Sequence, residues 1–189
     1  MGASFFLFVF VLLHWLVPDV RIVADYISDY ANAPYGRLFQ SALALHGLGN
    51  LAIATGLLAS LGSSRVGKIG GAFFAAASAG IIIAAIFPAD PSGVSATFIG
   101  SVHVVTAFVA FVFEALALFF LIRVFQNAPS WRTMAAPTLI IAGIDTVTLV
   151  WLLASWQGAS PGLAEHVAFI PVLLWETLVA LRLLVLRPL

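Results

Sequence analysis

Apolar stretches near twenty residues recur along this chain, and that recurrence limits its fold more than any other feature. Each stretch is long enough to cross a hydrocarbon core of about 30 Å as a helix. Composition agrees. Hydrophobic residues make up 62% of the 189 and charged residues 8%, against about 25% charged in an ordinary soluble domain. The expected fold is all-α: a polytopic membrane bundle of six transmembrane helices in a single domain over residues 1–189. The spans read as about 3–20, 37–62, 67–88, 99–125, 131–156 and 163–186. Pro18-Asp19 interrupts the first. Gly62-Ser63-Ser64, Phe87-Pro88-Ala89-Asp90-Pro91, Asn127-Ala128-Pro129-Ser130 and the stretch from Gln157 to Gly162 end or separate the others, each carrying turn-forming residues.

Charge then orients the bundle. Arg65, Lys68, Arg123, Arg132, Arg182 and Arg187 fall in or beside the 2–3 turn, the 4–5 turn and the C-terminal tail. Asp19, Asp25, Asp29, Asp90 and Glu165 fall on the opposite side, with Arg21 and Arg37. Short loops rich in Lys and Arg stay in the cytoplasm. The expectation is therefore that both termini are cytoplasmic and that loops 18–36, 88–98 and 157–163 face outward. Ala31-Asn32-Ala33 resembles a signal-peptidase site. However, no positive charge precedes Phe5, the apolar run ends near Val17, and Pro34 follows the cut. The first helix reads as a retained anchor. Trp131 and Trp156, at the two ends of the fifth span, are expected at the membrane interface.

Several function classes drop out. Net charge is zero, which gives no electrostatic case for nucleic acid as a partner. There is no cysteine, so disulfides, thiolate catalysis and Cys-ligated metal are excluded. Gly70, Gly71, Ala75, Ala76, Ala77, Ala79, Gly80 and Ala84 make the third span rich in small residues, which permits close helix packing. No internal repeat is visible, and this weakens an inverted-repeat transporter reading.

Two polar sets remain. Counting about 1.5 Å per residue, His103 and His166 lie roughly 5 Å below the outer boundary, His14 about 9 Å and His46 about 13 Å. All four histidines thus belong to the outer half. Ser28, Asp29, Asp90, His103 and His166 form a candidate outer polar site. Histidine with carboxylate can bind metal or move protons, but no His-x-x-x-His spacing selects a metal, and no cofactor is assigned. Ser, His and Asp on one face permit nucleophilic hydrolysis in principle, although Ser28 does not stand in a Gly-x-Ser-x-Gly elbow. Ser28 or Asp29 also suits the cap of a short interfacial helix.

The second set is deeper. Glu114, Asp145 and Glu176 lie inside apolar helices, where a charged side chain is costly and marks a functional candidate. Glu114 follows His103 by eleven residues, about three full turns, and so shares its helix face. His46 and Asn50, four apart, share another. A polar ladder of His46, Asn50, Asp145, Glu114 and Glu176 is the expectation, with interhelical hydrogen bonding as its plainest role.

Ile27-Ser28-Asp29 after the first span, Phe87-Pro88-Ala89-Asp90 after the third and His103 opening the fourth resemble, in this order, the bacterial and archaeal membrane family called domain of unknown function 998. The resemblance covers nearly the whole chain. It implies a six-helix integral protein of the prokaryotic cytoplasmic membrane with no agreed activity. A fainter similarity, through Ile27-Ser28-Asp29, Pro34, Phe39 and His103, reaches the damage-regulated autophagy modulator and Sfk-type proteins. Tyr30-Ala31-Asn32 stands where those usually have a Thr-Gly pair. That group implies membrane lipids as partners. Three functions stay open: binding or handling a lipid at a site opening outward, proton- or cation-coupled transport through the buried carboxylates, and a non-catalytic role packing against other membrane proteins or a second copy. Whether the chain catalyses anything does not follow from its sequence.

Overall fold

The computed structural model describes residues 2–62, 64–91, 94–156 and 158–186. Ser63, Ser92, Gly93, Gln157 and Arg187, which belong to the turns and tail named above, lie outside the described residues. Among the described residues the chain forms six α-helices: α1 (Gly2–Leu16), α2 (Gly36–Ser60), α3 (Arg65–Ile86), α4 (Phe98–Asn127), α5 (Arg132–Ala154) and α6 (Pro161–Leu186). Short 3-10 helices, Ile27–Asn32 and Pro129–Trp131, precede α2 and α5. No strand occurs among the described residues.

Helices α2 to α6 are long and apolar enough to cross a membrane, with α5 counted together with its 3-10 turn from Pro129. Large apolar side chains on the outside of the bundle, among them Phe8, Ile140, Val147, Leu184 and Val185, are more than half exposed. A lipid-facing surface accounts for them. The chain is a multi-pass helical membrane protein. Helix α1 is shorter than the expected 3–20 span. Its 15 residues reach about 22 Å, because Pro18 cannot continue the ladder. That earlier stop puts His14 in the last turn of α1, nearer the helix end than the depth count implies.

Side chains at the starts of α3 and α4 each satisfy one of the free N–H groups there. Ser64 accepts from Gly67 N at 3.2 Å, and Thr97 accepts from Gly100 N at 3.1 Å. Consecutive helices pack side by side, and α6 returns to touch α1 and α2, closing the bundle. The α3–α4 pair is the most extensive. A Cβ on Gly80 would stand 2.9 Å from the Thr106 carbonyl oxygen, so only glycine lets these backbones approach this closely.

One end of the bundle carries Arg65, Lys68, Arg123, Arg132 and Arg182, and is called the basic end. The other carries the Ile27–Asn32 helix, Asp90 and the start of α6, and is called the acidic end. Near the basic end Phe74, Leu118, Leu121, Phe125, Trp131, Trp175 and Val179 form the largest buried cluster. Trp131 is fully buried there, stacked on Phe125 at 4.8 Å. The Pro129–Trp131 turn folds it inward. Trp156 keeps a partly exposed position against Tyr26.

Candidate functional site

Four helices contribute the buried polar residues. His46 and Asn50 come from one face of α2, Glu114 from α4, Asp145 from α5 and Glu176 from α6, and all five are buried. His46 Nε2 lies 2.7 Å from Glu176 Oε2. Asn50 Nδ2 donates to Glu176 Oε1. One carboxyl thus gathers two donors from consecutive turns of α2. Glu114 lies beside Glu176 and within electrostatic reach of Asp145. A hydrogen bond between two carboxyls requires that one of them carry the proton.

This polar node is not saturated. His46 Nδ1, Asn50 Oδ1, Glu114 Oε1 and Asp145 Oδ2 are buried without a hydrogen-bond partner. Buried polar atoms are nearly always paired with protein or water, so these four are open to a bound water or another polar partner. His46 and Glu114 line a narrow chamber of about 50 Å³. Its wall also includes Ser28, His103, Phe111, Glu165 and Phe169.

A larger cleft of about 520 Å³ lies on the acidic side of this chamber. It runs between the first half of α4, from Gly100 to Phe111, and the last turns of α5, from Leu149 to Trp156. Ser28, Asp29, Asp90 and Glu165 add its polar rim. Ser28, His103, Ala107, Phe111 and Glu165 line both spaces, so they form the throat between cleft and chamber. Phe111 meets Phe169 edge to face at 5.2 Å beside it.

The rim is held by local bonds. Asp90 accepts from Thr97 N and Thr97 Oγ1, each at 2.7 Å. The backbone bond first, and then the hydroxyl, hold its carboxyl below the usual carboxylate range. Asp29 accepts from Tyr26 N at 2.8 Å and closes the first turn of the 3-10 helix. Glu165 accepts from Ile27 N at 2.5 Å. Asn32 donates to the Ala89 carbonyl at 2.9 Å, joining that helix to the α3–α4 connection. His103 Nδ1 donates to the carbonyls of Ala84 and Phe87 at 2.9 and 2.8 Å. Neither bond is the nucleophile-to-base contact that hydrolysis needs.

The five outer residues therefore divide. Ser28, Asp29, Asp90 and His103 line one cleft, while His166 lies outside it. His166 meets His14, Nε2 to Nε2, at 3.2 Å. The five deeper residues come together at the node. Sequence reasoning missed the throat positions Ala107, Phe111 and Glu165, which no local spacing signals.

Over residues 1–182 the sequence matches a family described as Protein of unknown function (DUF998). The chain belongs to this family. No curated protein and no solved structure matches it. The arrangement of the site in this DUF998 chain suits a molecule with an apolar body and a polar end: apolar walls in the cleft, a rim of carboxyls and hydroxyls, and unpaired acceptors at the floor.

Proposed function

We propose that this DUF998 chain binds a membrane amphiphile, a lipid or lipid-like molecule whose polar head donates hydrogen bonds. The observation that carries this reading is the cleft between α4 and α5, which narrows through a throat to a floor with unpaired polar atoms. Ligand sites typically pair mostly apolar walls with a few convergent polar groups. If His46 Nε2–H donates to Glu176, then Nδ1 is an acceptor, as is Glu114 Oε1. A hydroxyl or ammonium head complements both. The acyl part lies along Val104, Val105, Phe108 and Leu153.

In this reading the acidic end faces outward across a prokaryotic cytoplasmic membrane. Helix α1 completes a set of six spans, and both termini are cytoplasmic. The basic residues of the α2–α3 and α4–α5 turns support that orientation. A span as short as α1 is accommodated by local thinning of the bilayer.

Native mass spectrometry of the chain purified in mild detergent tests the proposal. The expected result is a retained lipid, with Ala107→Phe, which fills the throat, lowering its retention about tenfold, or ~1.4 kcal/mol. Unchanged retention in a folded Ala107→Phe variant overturns it. The polar node favours a second reading, proton-coupled transport through Glu114, Asp145 and Glu176. That reading predicts pH-driven flux in liposomes that Glu114→Gln abolishes.

A further inference from the structure

His14 and His166 face each other across α1 and α6 in a way that leaves a gap in their chemistry. His14 Nδ1 lies 2.8 Å from the Phe10 carbonyl oxygen. His166 Nδ1 lies 2.6 Å from the Gly162 carbonyl oxygen. A carbonyl only accepts, so each Nδ1 must carry the hydrogen. In neutral rings both Nε2 atoms are then bare, and they point at each other at 3.2 Å. Two lone pairs that close repel unless a cation lies between them. We propose that the cation is a transition metal ion of the Zn²⁺ class, held by His14 and His166 and bridging α1 to α6.

The geometry suits that ion. With metal–nitrogen bonds of about 2.05 Å, a 3.2 Å separation corresponds to an angle of about 103° at the metal, near the tetrahedral value. The backbone carbonyls act as the outer partners that metal-bound imidazoles usually have, fixing tautomer and ring direction. Phe10 packs against both rings, at 4.5 Å from His14 and 5.3 Å from His166. Tyr30 lies 5.4 Å from His14. Aromatic neighbours tolerate a cation. No group of three or more His, Cys, Asp or Glu suited to a metal occurs among the described residues. Two protein ligands leave the other positions to water, so the ion exchanges readily. Its structural effect is to tie the short first helix to α6.

The site is separate from the cleft and does not rest on the lipid reading. Its test uses the full chain in detergent, carrying a purification tag without histidine. Titration with ZnCl₂ by calorimetry is expected to show one ion per chain and a higher unfolding temperature. His14→Gln and His166→Gln each weaken binding by about tenfold or more, whereas His103→Gln leaves it unchanged. Cu²⁺ substituted into the wild-type chain should show two coordinated nitrogens by electron paramagnetic resonance, a signature that misfolding of a variant cannot mimic. Absence of Zn²⁺ binding to the wild-type chain overturns the proposal and leaves a shared proton between the rings. Binding that survives the His14→Gln/His166→Gln double variant overturns it too.

Discussion

At the basic end Trp131 lies flat on Phe125 and both are fully buried; at the acidic end Phe111 and Phe169 meet edge to face beside a throat between two cavities. The same residue type fills space in one place and borders it in the other. The basic end has a recess of about 210 Å³ between Leu61, Val66 and Arg123, but it is confined to helix ends and reaches none of the buried carboxyls. Arg182 Nε donates to the Ser130 carbonyl at 3.0 Å and ties α6 to the turn before α5. In lipid, helices gain little from hydrophobic transfer against one another, so close packing and hydrogen bonds hold them together. The contrast suggests a division of labour: α4, α5 and α6 are clamped at the basic end and spread at the acidic end.

The strongest way to break that comparison is to loosen the clamp. Trp131→Ala removes the largest buried ring at the α4–α5 join and leaves a cavity. Its expected cost is about 3 kcal/mol, at the low end of the range for a buried Trp, because lipid replaces water as the competing environment. Unfolding in mixed micelles measures it. If the ends are independent, lipid retention by the folded fraction stays at the wild-type level. A variant that keeps its stability but loses its lipid would show that the clamp shapes the cleft.

The clamp and the cleft were not equally visible in the sequence. Helix positions were legible because a membrane helix satisfies its own backbone, so apolar runs and breakers such as Pro88 and Pro129 carry the signal locally. Pro18 blurred the end of the first helix, and the inward fold at Pro129 hid Trp131. The common face of His103 and Glu114 follows from their spacing along α4. The contact of His46 with Glu176 spans 130 residues, and that of His14 with His166 spans 152. Such pairs leave no periodicity to read; only the bundle brings them together. Glu165 likewise shows its link to Ile27 only when α6 is packed against the 3-10 helix.

A medium effect is expected at the rim. A Cβ on Gly100 would overlap the Asp90 carboxyl, so Gly100→Ala should displace the end of the α3–α4 connection. Overpacking of this kind costs about 1–3 kcal/mol. Acid is a gentler probe of the same contact. The Asp90 carboxyl is held below its usual range by Thr97. Its contribution is complete above the unfolded value near 3.9 and is lost as pH falls through the lower folded value. Hydrogen exchange should therefore show Thr97 N–H protection falling below about pH 4, and Asp90→Asn should remove that pH dependence. Protection that declines already near pH 6 would mean that another group controls the rim.

The smallest effect tests the outside of the bundle. Gly143 is exposed on α5, and a Cβ there meets no atom within 4 Å. Gly143→Ala should stabilise the helix by at most about 1 kcal/mol, and by less if α5 stays helical when the bundle comes apart in the membrane. Both the clamp and the cleft should be unaffected, with unchanged lipid retention and a slightly higher unfolding midpoint. Small residues on membrane helices also serve close contact between chains. A lower midpoint, together with a loss of dimer in cross-linking, would instead reveal a second copy seated on this face. The side of α5 opposite the polar node would then be an interface, and the comparison between the two ends would have to be redrawn for the assembled pair.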